Sequence, residues 1–344
     1  MSGKKIINDP KMFFSMTLEF LEVWLPLQKG RSACTAKSYK DGLTIFRRYV
    51  RDELSTSIGK FTFAQCDYDC ILEFLDYLSR NGCSDSTRNQ RLSAIKTYLW
   101  FAADKDVSLV SVALRISKVP VKKPDEPERH VLSEAALTAI FDQIPSTRLG
   151  LRNLVMLIVL YDTAFRLSEL LHLRVCDVNL NRESPYIRVI GKGKKERVVS
   201  IENDTSDYIR LYLENFRNPD APNTDMLFYT LSKGVTGAMS ETNFEIILNN
   251  YANCAREKCS DIPESVYPHM FRRSRASHMY QDGVPISLIS KILGHVKERT
   301  TRLYAKPSLK MMQEAISKTT HPSVKDEKEL WVDEDEAARM CGLR

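Results

Sequence analysis

The chain has 344 residues, 43% hydrophobic and 27% charged, with mean hydropathy −0.30 and net charge +6. That length suits two domains, each able to bury its own core. The longest apolar run, Leu154 to Tyr161, is far shorter than the ~18 residues a membrane span needs, which argues against a membrane protein.

The eight cysteines are scattered and carry no histidine at zinc-finger spacing, so reduced thiols in a cytoplasm are expected. The start, MSGKKIINDPK, lacks the apolar core of a signal peptide. From His321 to Arg344, seven acidic residues face four Lys and Arg, so this tail carries −3 and the rest of the chain +9. A body of that charge favours acidic partners, nucleic acid among them.

Residues 12 to about 105 read as helices. Met12 to Leu27 has apolar residues at helical spacing. A second helix, from Ser38 to Leu54, places Leu43, Phe46, Tyr49 and Val50 on one face, with Lys37 and Lys40 nearby. Ile71 to Leu78 is a third, ended by Asn81-Gly82. Ser84 or Ser86 caps the fourth, whose expected apolar stripe is Leu92, Ile95, Leu99 and Trp100, leaving Arg88, Arg91 and Lys96 elsewhere on its surface. Pro120, Pro124 and Pro127 then interrupt the chain among Lys118, Lys122 and Lys123, a stretch unable to continue a helix.

Ser133 opens a second domain as the N-cap of a helix through Ile144, and residues 151–173 read as helical throughout. Tyr186 to Ile190 and Glu196 to Ile201 alternate as strands around Gly191-Lys192-Gly193, a hairpin signal. From there to about Ile316 the pattern returns to helices, broken at Gly283 and Gly294. The fold class is therefore mainly α with a small antiparallel β-sheet.

Five stretches carry chemistry: TAFRLSELLHL, VIGKGKKERVV, PHMFRRSRASHMY, LGH and TTRLYAKP. Their order sets out Arg166, Lys192, His269 with Arg272, His295 and Tyr304. Arginine suits a charged phosphate because its planar fork holds two donors in place and stays ionised. Singly, each residue has an ordinary reading: an arginine on a solvated helix face, a lysine at a solvated turn, a histidine packed in a core, a tyrosine in packing. His130, His172, His278 and His321 keep that ordinary reading.

Together the stretches resemble the tyrosine recombinases, the phage integrase family. The resemblance covers residues 10 to 320 and implies a two-domain C-clamp around duplex DNA. Residues 10–116 form the SAM-like, all-helical core-binding domain, 117–130 a linker, 131–320 the integrase-type catalytic domain and 321–344 a C-terminal tail docking between protomers. It assigns Tyr304 as nucleophile, nine positions after His295, and Arg166 and Arg272 as charge stabilisers. Lys192 becomes the general acid, with Lys194 and Lys195 close enough to leave that choice open. His269 and His295 donate to the phosphate, and Glu169 takes the acidic position that orients a neighbour, where an ordinary surface carboxylate is the alternative.

The family departures are Ala164 where glycine is usual, Arg273 where histidine is frequent and Arg275 where an apolar residue is frequent. The two arginines join Lys37, Lys40, Arg88, Arg91 and Lys96 as expected DNA contacts. No metal and no cofactor are expected. The implied function is site-specific recombination through a 3′-phosphotyrosine and a Holliday junction, by a homotetramer on two duplexes bearing a specific core site. The implied setting is a bacterial cytoplasm, at the nucleoid, with no membrane. The protein reads as Xer-like, leaning toward a mobile-element integrase or transposase. A type IB topoisomerase and a non-catalytic DNA-binding protein of the same fold are the alternatives.

Overall fold

The computed structural model describes residues 9–124, 130–191, 195–217, 220–232, 235–295 and 300–301, with isolated positions after 334. Lys192, Lys194, Tyr304, part of the expected linker and nearly all of the expected tail lie outside the described residues. The chain divides into two units, Met1–Glu128 and Arg129–Arg344.

In the first unit the short helix α1 (Thr17–Glu19) runs directly into a π-helical stretch, Phe20–Gln28. There Lys29 N–H reaches back to the Trp24 carbonyl at 2.9 Å, while Pro26 has no N–H to offer an ordinary helical ladder. Helices α2 (Ala33–Asp52), α3 (Tyr68–Arg80) and α4 (Asp85–Lys105) start at Ser32, Asp67 and Ser84. Each cap oxygen accepts a backbone N–H three residues on, at 3.2, 2.9 and 3.3 Å, satisfying a donor the helix leaves open. A shorter α5 (Val110–Ser117) follows.

Aromatic rings fill the space between these helices. Phe13 meets Phe46 and Tyr98 edge-on at centroid separations of 5.3 and 5.2 Å, and the Tyr98 hydroxyl donates to the Phe13 carbonyl. Each such ring, fully buried, stabilises the fold by about 2–3 kcal/mol. Helix α4 is the central member, buried on most of its circumference. Its outer strip is Ser93, Trp100 and Asp104, so Trp100 is 39% exposed and does not belong to the apolar stripe expected for it.

The second unit begins with α6 (Glu134–Phe141), capped by Ser133 as expected, and α7 (Arg148–Asp162). The single helix expected over 151–173 is broken. Thr163 turns its hydroxyl onto the Val159 carbonyl at 2.6 Å, Ala164 enters the left-handed region at φ +50°, and α8 (Leu167–Leu171) starts anew at Arg166. Leu167, Leu170 and Leu171 keep the helical periodicity across this break, which is why spacing alone conceals it.

Strands β1 (Val178–Asn179), β2 (Tyr186–Ile190) and β3 (Glu196–Ser200) form one antiparallel sheet in that order, with Ile187 opposite Val199 and Val189 opposite Arg197. Helix α9 (Asn203–Phe216) follows. A second hairpin, β4 (Tyr229–Ser232) with β5 (Val235–Ala238), lies where helices alone were expected. Helices α10 (Glu241–Arg256), α11 (Pro268–Gln281) and α12 (Ile286–Leu293) complete the described elements, with positive-φ glycines at 283 and 294 after the last two. Helix α11 runs through the core, and Ser274 on it accepts the Leu132 backbone N–H at 2.8 Å. Among the described residues no helix is long and apolar enough to cross a membrane.

Candidate active site

Helix α11 carries His269 and Arg272 one turn apart on a mostly buried element. His269, in the first turn, is exposed, whereas Arg272 is fully buried. The Arg272 guanidinium donates to the carbonyls of Ala164 and Leu293 and to His295 Nε2, the last at 3.1 Å. Three separate segments thus close on one side chain: the break before α8, the end of α12 and the turn after it. Gly294, left-handed at φ +64°, makes that turn. His295 Nδ1 lies 2.9 Å from Thr301 Oγ1.

Arg166 stands at the mouth of α8 with its side chain 33% exposed. Glu169, one turn on, is almost fully buried. It accepts the Arg166 backbone N–H at 2.9 Å and Arg166 Nη1 at 2.7 Å. Of the two readings open for Glu169, orienting partner and surface carboxylate, the burial favours the first.

Sequence reasoning missed the other partner of Glu169. Arg197 on β3 grips the same carboxylate with Nη1 at 3.1 Å and Nη2 at 2.8 Å. Burial raises the Glu169 pKa, but the Arg197 and Arg166 hydrogen bonds outweigh it and hold the carboxyl down to about 2. Burial also lowers His295, and the charges of Arg272, Arg166, His269 and Arg197 push it further, to about 4. Those four groups therefore share one electrostatic neighbourhood with His295. Such donors, Arg272 buried and Arg166 and His269 open to solvent, suit an anion with two or more oxygens.

The phage integrase family profile matches residues 130–311, and its N-terminal SAM-like domain matches residues 19–106. The chain belongs to the phage integrase family. It is 27% identical over 305 residues to tyrosine recombinase XerC of Staphylococcus carnosus (strain TM300), covering 88% of this chain and 96% of that one. Its fold is shared with XerH site-specific recombinase bound to a palindromic difH substrate, at TM-score 0.65 and 22% identity over 84% of this chain and 81% of the other. A lambda integrase tetramer bound to a Holliday junction is similar at TM-score 0.65 and 13% identity, over 84% and 76% of the two chains.

In this integrase-family protein, the expected DNA contacts divide. Lys37 and Lys40 on α2 are exposed, as a phosphate-binding role requires. Arg88 is not: it is 5% exposed and two of its guanidinium nitrogens, Nε and Nη1, have no hydrogen-bond partner. The reason lies in helical spacing, since residue 88 is four before Leu92 and so falls on the buried stripe. Arg91 is half-buried and donates to Cys83 Sγ at 2.8 Å. Lys96 donates to the carbonyls of Ser117 at 3.0 Å and Val119 at 2.6 Å, closing the end of α5. Arg273, expected at the surface, is buried with its guanidinium over the Tyr267 ring at 5.2 Å. Arg275 is half-buried over Tyr161 at 5.3 Å. Among the described residues no group of three or more His, Cys, Asp or Glu could hold a metal ion.

Proposed function

We propose that this tyrosine recombinase cuts and rejoins DNA at a specific core site through a 3′-phosphotyrosine. The observation that carries the reading is the Arg272 guanidinium, which joins the Ala164 loop beside Arg166 to the His295 turn. A cation fixed by two carbonyls cannot follow a substrate, so its charge is set in advance where a phosphate would sit.

In the proposed reaction the Tyr304 oxygen attacks the scissile phosphorus in line and its proton passes to His269. The bond from phosphorus to the 5′ oxygen breaks, and Lys192 supplies the proton that makes the departing 5′ hydroxyl. Arg166, Arg272 and His295 hold the non-bridging oxygens as charge builds on them. A 5′ hydroxyl from a second duplex then attacks the phosphotyrosine, releasing Tyr304 and joining the strands without loss of bond energy. Four protomers acting on two duplexes through a Holliday junction is the assembly we favour, supported by the likeness to a lambda integrase tetramer on such a junction. Residues 321–344 would link neighbouring protomers, and the setting we favour is a mobile element in a bacterial cytoplasm.

The test is an SDS-resistant protein–DNA adduct on a nicked duplex that the wild-type protein selects from a randomised pool. Wild type should form it and Tyr304→Phe should bind the duplex equally well yet form none. An adduct that persists in the variant removes Tyr304 from its role. Relaxation of any supercoiled plasmid, without a defined site, would instead mark a topoisomerase.

A further inference from the structure

Among the described residues, Arg197 is a strongly buried cation at the site that the six-residue reaction scheme does not use. Its side chain is 12% exposed, and that of its carboxylate partner Glu169 is 5% exposed. Besides the two hydrogen bonds to Glu169, its Nε donates to the Ile292 carbonyl at 3.0 Å and its guanidinium lies over the Phe165 ring at 5.3 Å. Two glycines make room for it. A Cβ at Gly294 would stand 3.1 Å from Arg197 Cδ and Nη1, and one at Gly191 would stand 3.1 Å from Nη1. A side chain packed this closely has no freedom to serve as a mobile substrate ligand.

Its effect is best seen by counting charge. Glu169 carries −1 and contacts two arginines, Arg166 and Arg197, so the trio is +1. Without Arg197 the remaining pair would be neutral, and the partly exposed Arg166 would be spent on compensating a buried carboxylate. We propose that Arg197 is a positioning residue for strand cleavage, acting through Glu169 so that Arg166 is both oriented and left with uncompensated charge for the scissile phosphate. Arg197 thus touches neither DNA nor the reacting atoms. This rests on the recombinase chemistry proposed above.

The experiment compares single-turnover adduct formation on the selected nicked duplex for wild type, Arg197→Met, and Arg197→Met combined with Glu169→Gln. DNA affinity and melting temperature are recorded for each. Arg197→Met should slow cleavage by roughly 10- to 100-fold, the range for groups that orient a ligand from behind, with DNA affinity unchanged. Removing the negative charge as well should restore positive charge at Arg166, so the double variant should cleave several-fold faster than Arg197→Met alone. A merely structural arginine gives a double variant no faster than the single one, and that result overturns the proposal. So does wild-type cleavage by Arg197→Met. Rescue of Arg197→Met by a 5′-bridging sulfur would also overturn it, assigning the residue to support of Lys192 across Gly191. Should Arg197→Met fail to fold, Arg197→Gln, neutral but still a donor toward Glu169, gives the same comparison. If wild type itself forms no adduct, the proposed function fails, and that outcome is distinct from each of these.

Discussion

Arg272 donates to His295 Nε2 at 3.1 Å, and that contact fixes the tautomer of the histidine. A guanidinium has only donors, so Nε2 accepts and the ring proton sits on Nδ1, 2.9 Å from Thr301 Oγ1. Burial and the surrounding cations lower the His295 pKa from 6.5 to about 4. In the DNA-free protein His295 should therefore remain neutral down to about pH 4, as read from its imidazole nitrogen shifts in an NMR titration. The unfolded chain takes up this proton at higher pH, so the contribution of His295 to stability is complete above 6.5 and is lost as pH falls toward 4. A bound duplex, bringing phosphate charge, should move the pKa upward, and only the protonated ring, with an Nε2–H in place of the acceptor facing Arg272, can donate to a non-bridging oxygen. Titration near 6.5 in the free protein would show that the ring is neither buried nor crowded by these cations in solution.

Ala164 stands in left-handed backbone at φ +50°, fully buried, and its carbonyl receives Arg272. Left-handed geometry costs an L-residue about 1–2 kcal/mol. Glycine would relieve that cost but give up a buried methyl worth ~0.8 kcal/mol and add about 0.5–1 kcal/mol of unfolded-chain entropy. The terms nearly cancel, which explains how alanine can occupy this position. Ala164→Gly should change the urea unfolding free energy by less than about 1 kcal/mol, whereas Ala164→Val, strained and overpacked, should lose about 2 kcal/mol or more. A large loss in Ala164→Gly would mean the methyl packs far better against Ala276 and Leu293 than this balance allows.

How much of this site was legible in sequence depends on how local each signal is. Arg166 with Glu169, and His269 with Arg272, are three apart and so share a helix turn by spacing alone. Arg197 was readable only as one of two strand phases. On β3, positions 197 and 199 face one way and 196, 198 and 200 the other, and Val199 is the buried member. Two adjacent valines, however, leave the phase of the strand undetermined until a second residue fixes it. Val198 is in fact 58% exposed while Arg197 is turned inward. The β4–β5 hairpin went unread because Tyr229 to Ala238 is short and surrounded by helical pattern. The join of Arg272 to Ala164 spans 108 residues, a tertiary relationship that periodicity does not contain.

Glu169 has a stability consequence separate from catalysis. Truncating a carboxylate that faces a buried arginine leaves that arginine uncompensated, which costs about 3–5 kcal/mol. Glu169→Ala should lie in that range by urea denaturation, and Glu169→Gln should lose less because its amide oxygen still accepts one arginine. The acid sensitivity gives a second readout. The folded carboxyl is held at about 2 against an ordinary 4.5, so this stabilisation is complete above about 4.5 and lost as pH falls toward 2. Glu169→Gln should lack that component of the acid-induced loss. An unchanged acid profile would detach Glu169 from its two arginines.

The basic residues of the first unit should separate into two kinds under mutation. Lys37 and Lys40 are exposed on α2, and if they contact phosphates, replacing each by alanine should weaken binding to all sequences and lower the salt slope by about one unit. Lys96 instead caps two carbonyls at the end of α5, so Lys96→Ala should cost stability, about 1.5 kcal/mol for a charged donor. Any effect of that variant on DNA binding should follow its loss of fold rather than the salt slope. Arg88 is the sharpest case, being a buried cation with two unsatisfied nitrogens. Replacing a poorly satisfied buried charge with an apolar side chain of similar length is commonly neutral or stabilising. Arg88→Met should therefore raise or preserve the urea midpoint of the free protein. Fluorescence anisotropy on the selected duplex across a salt series, paired with urea unfolding of each variant, separates the two kinds. A destabilised Arg88→Met whose salt slope also falls would show that Arg88 turns outward to a phosphate, as its sequence context first implied.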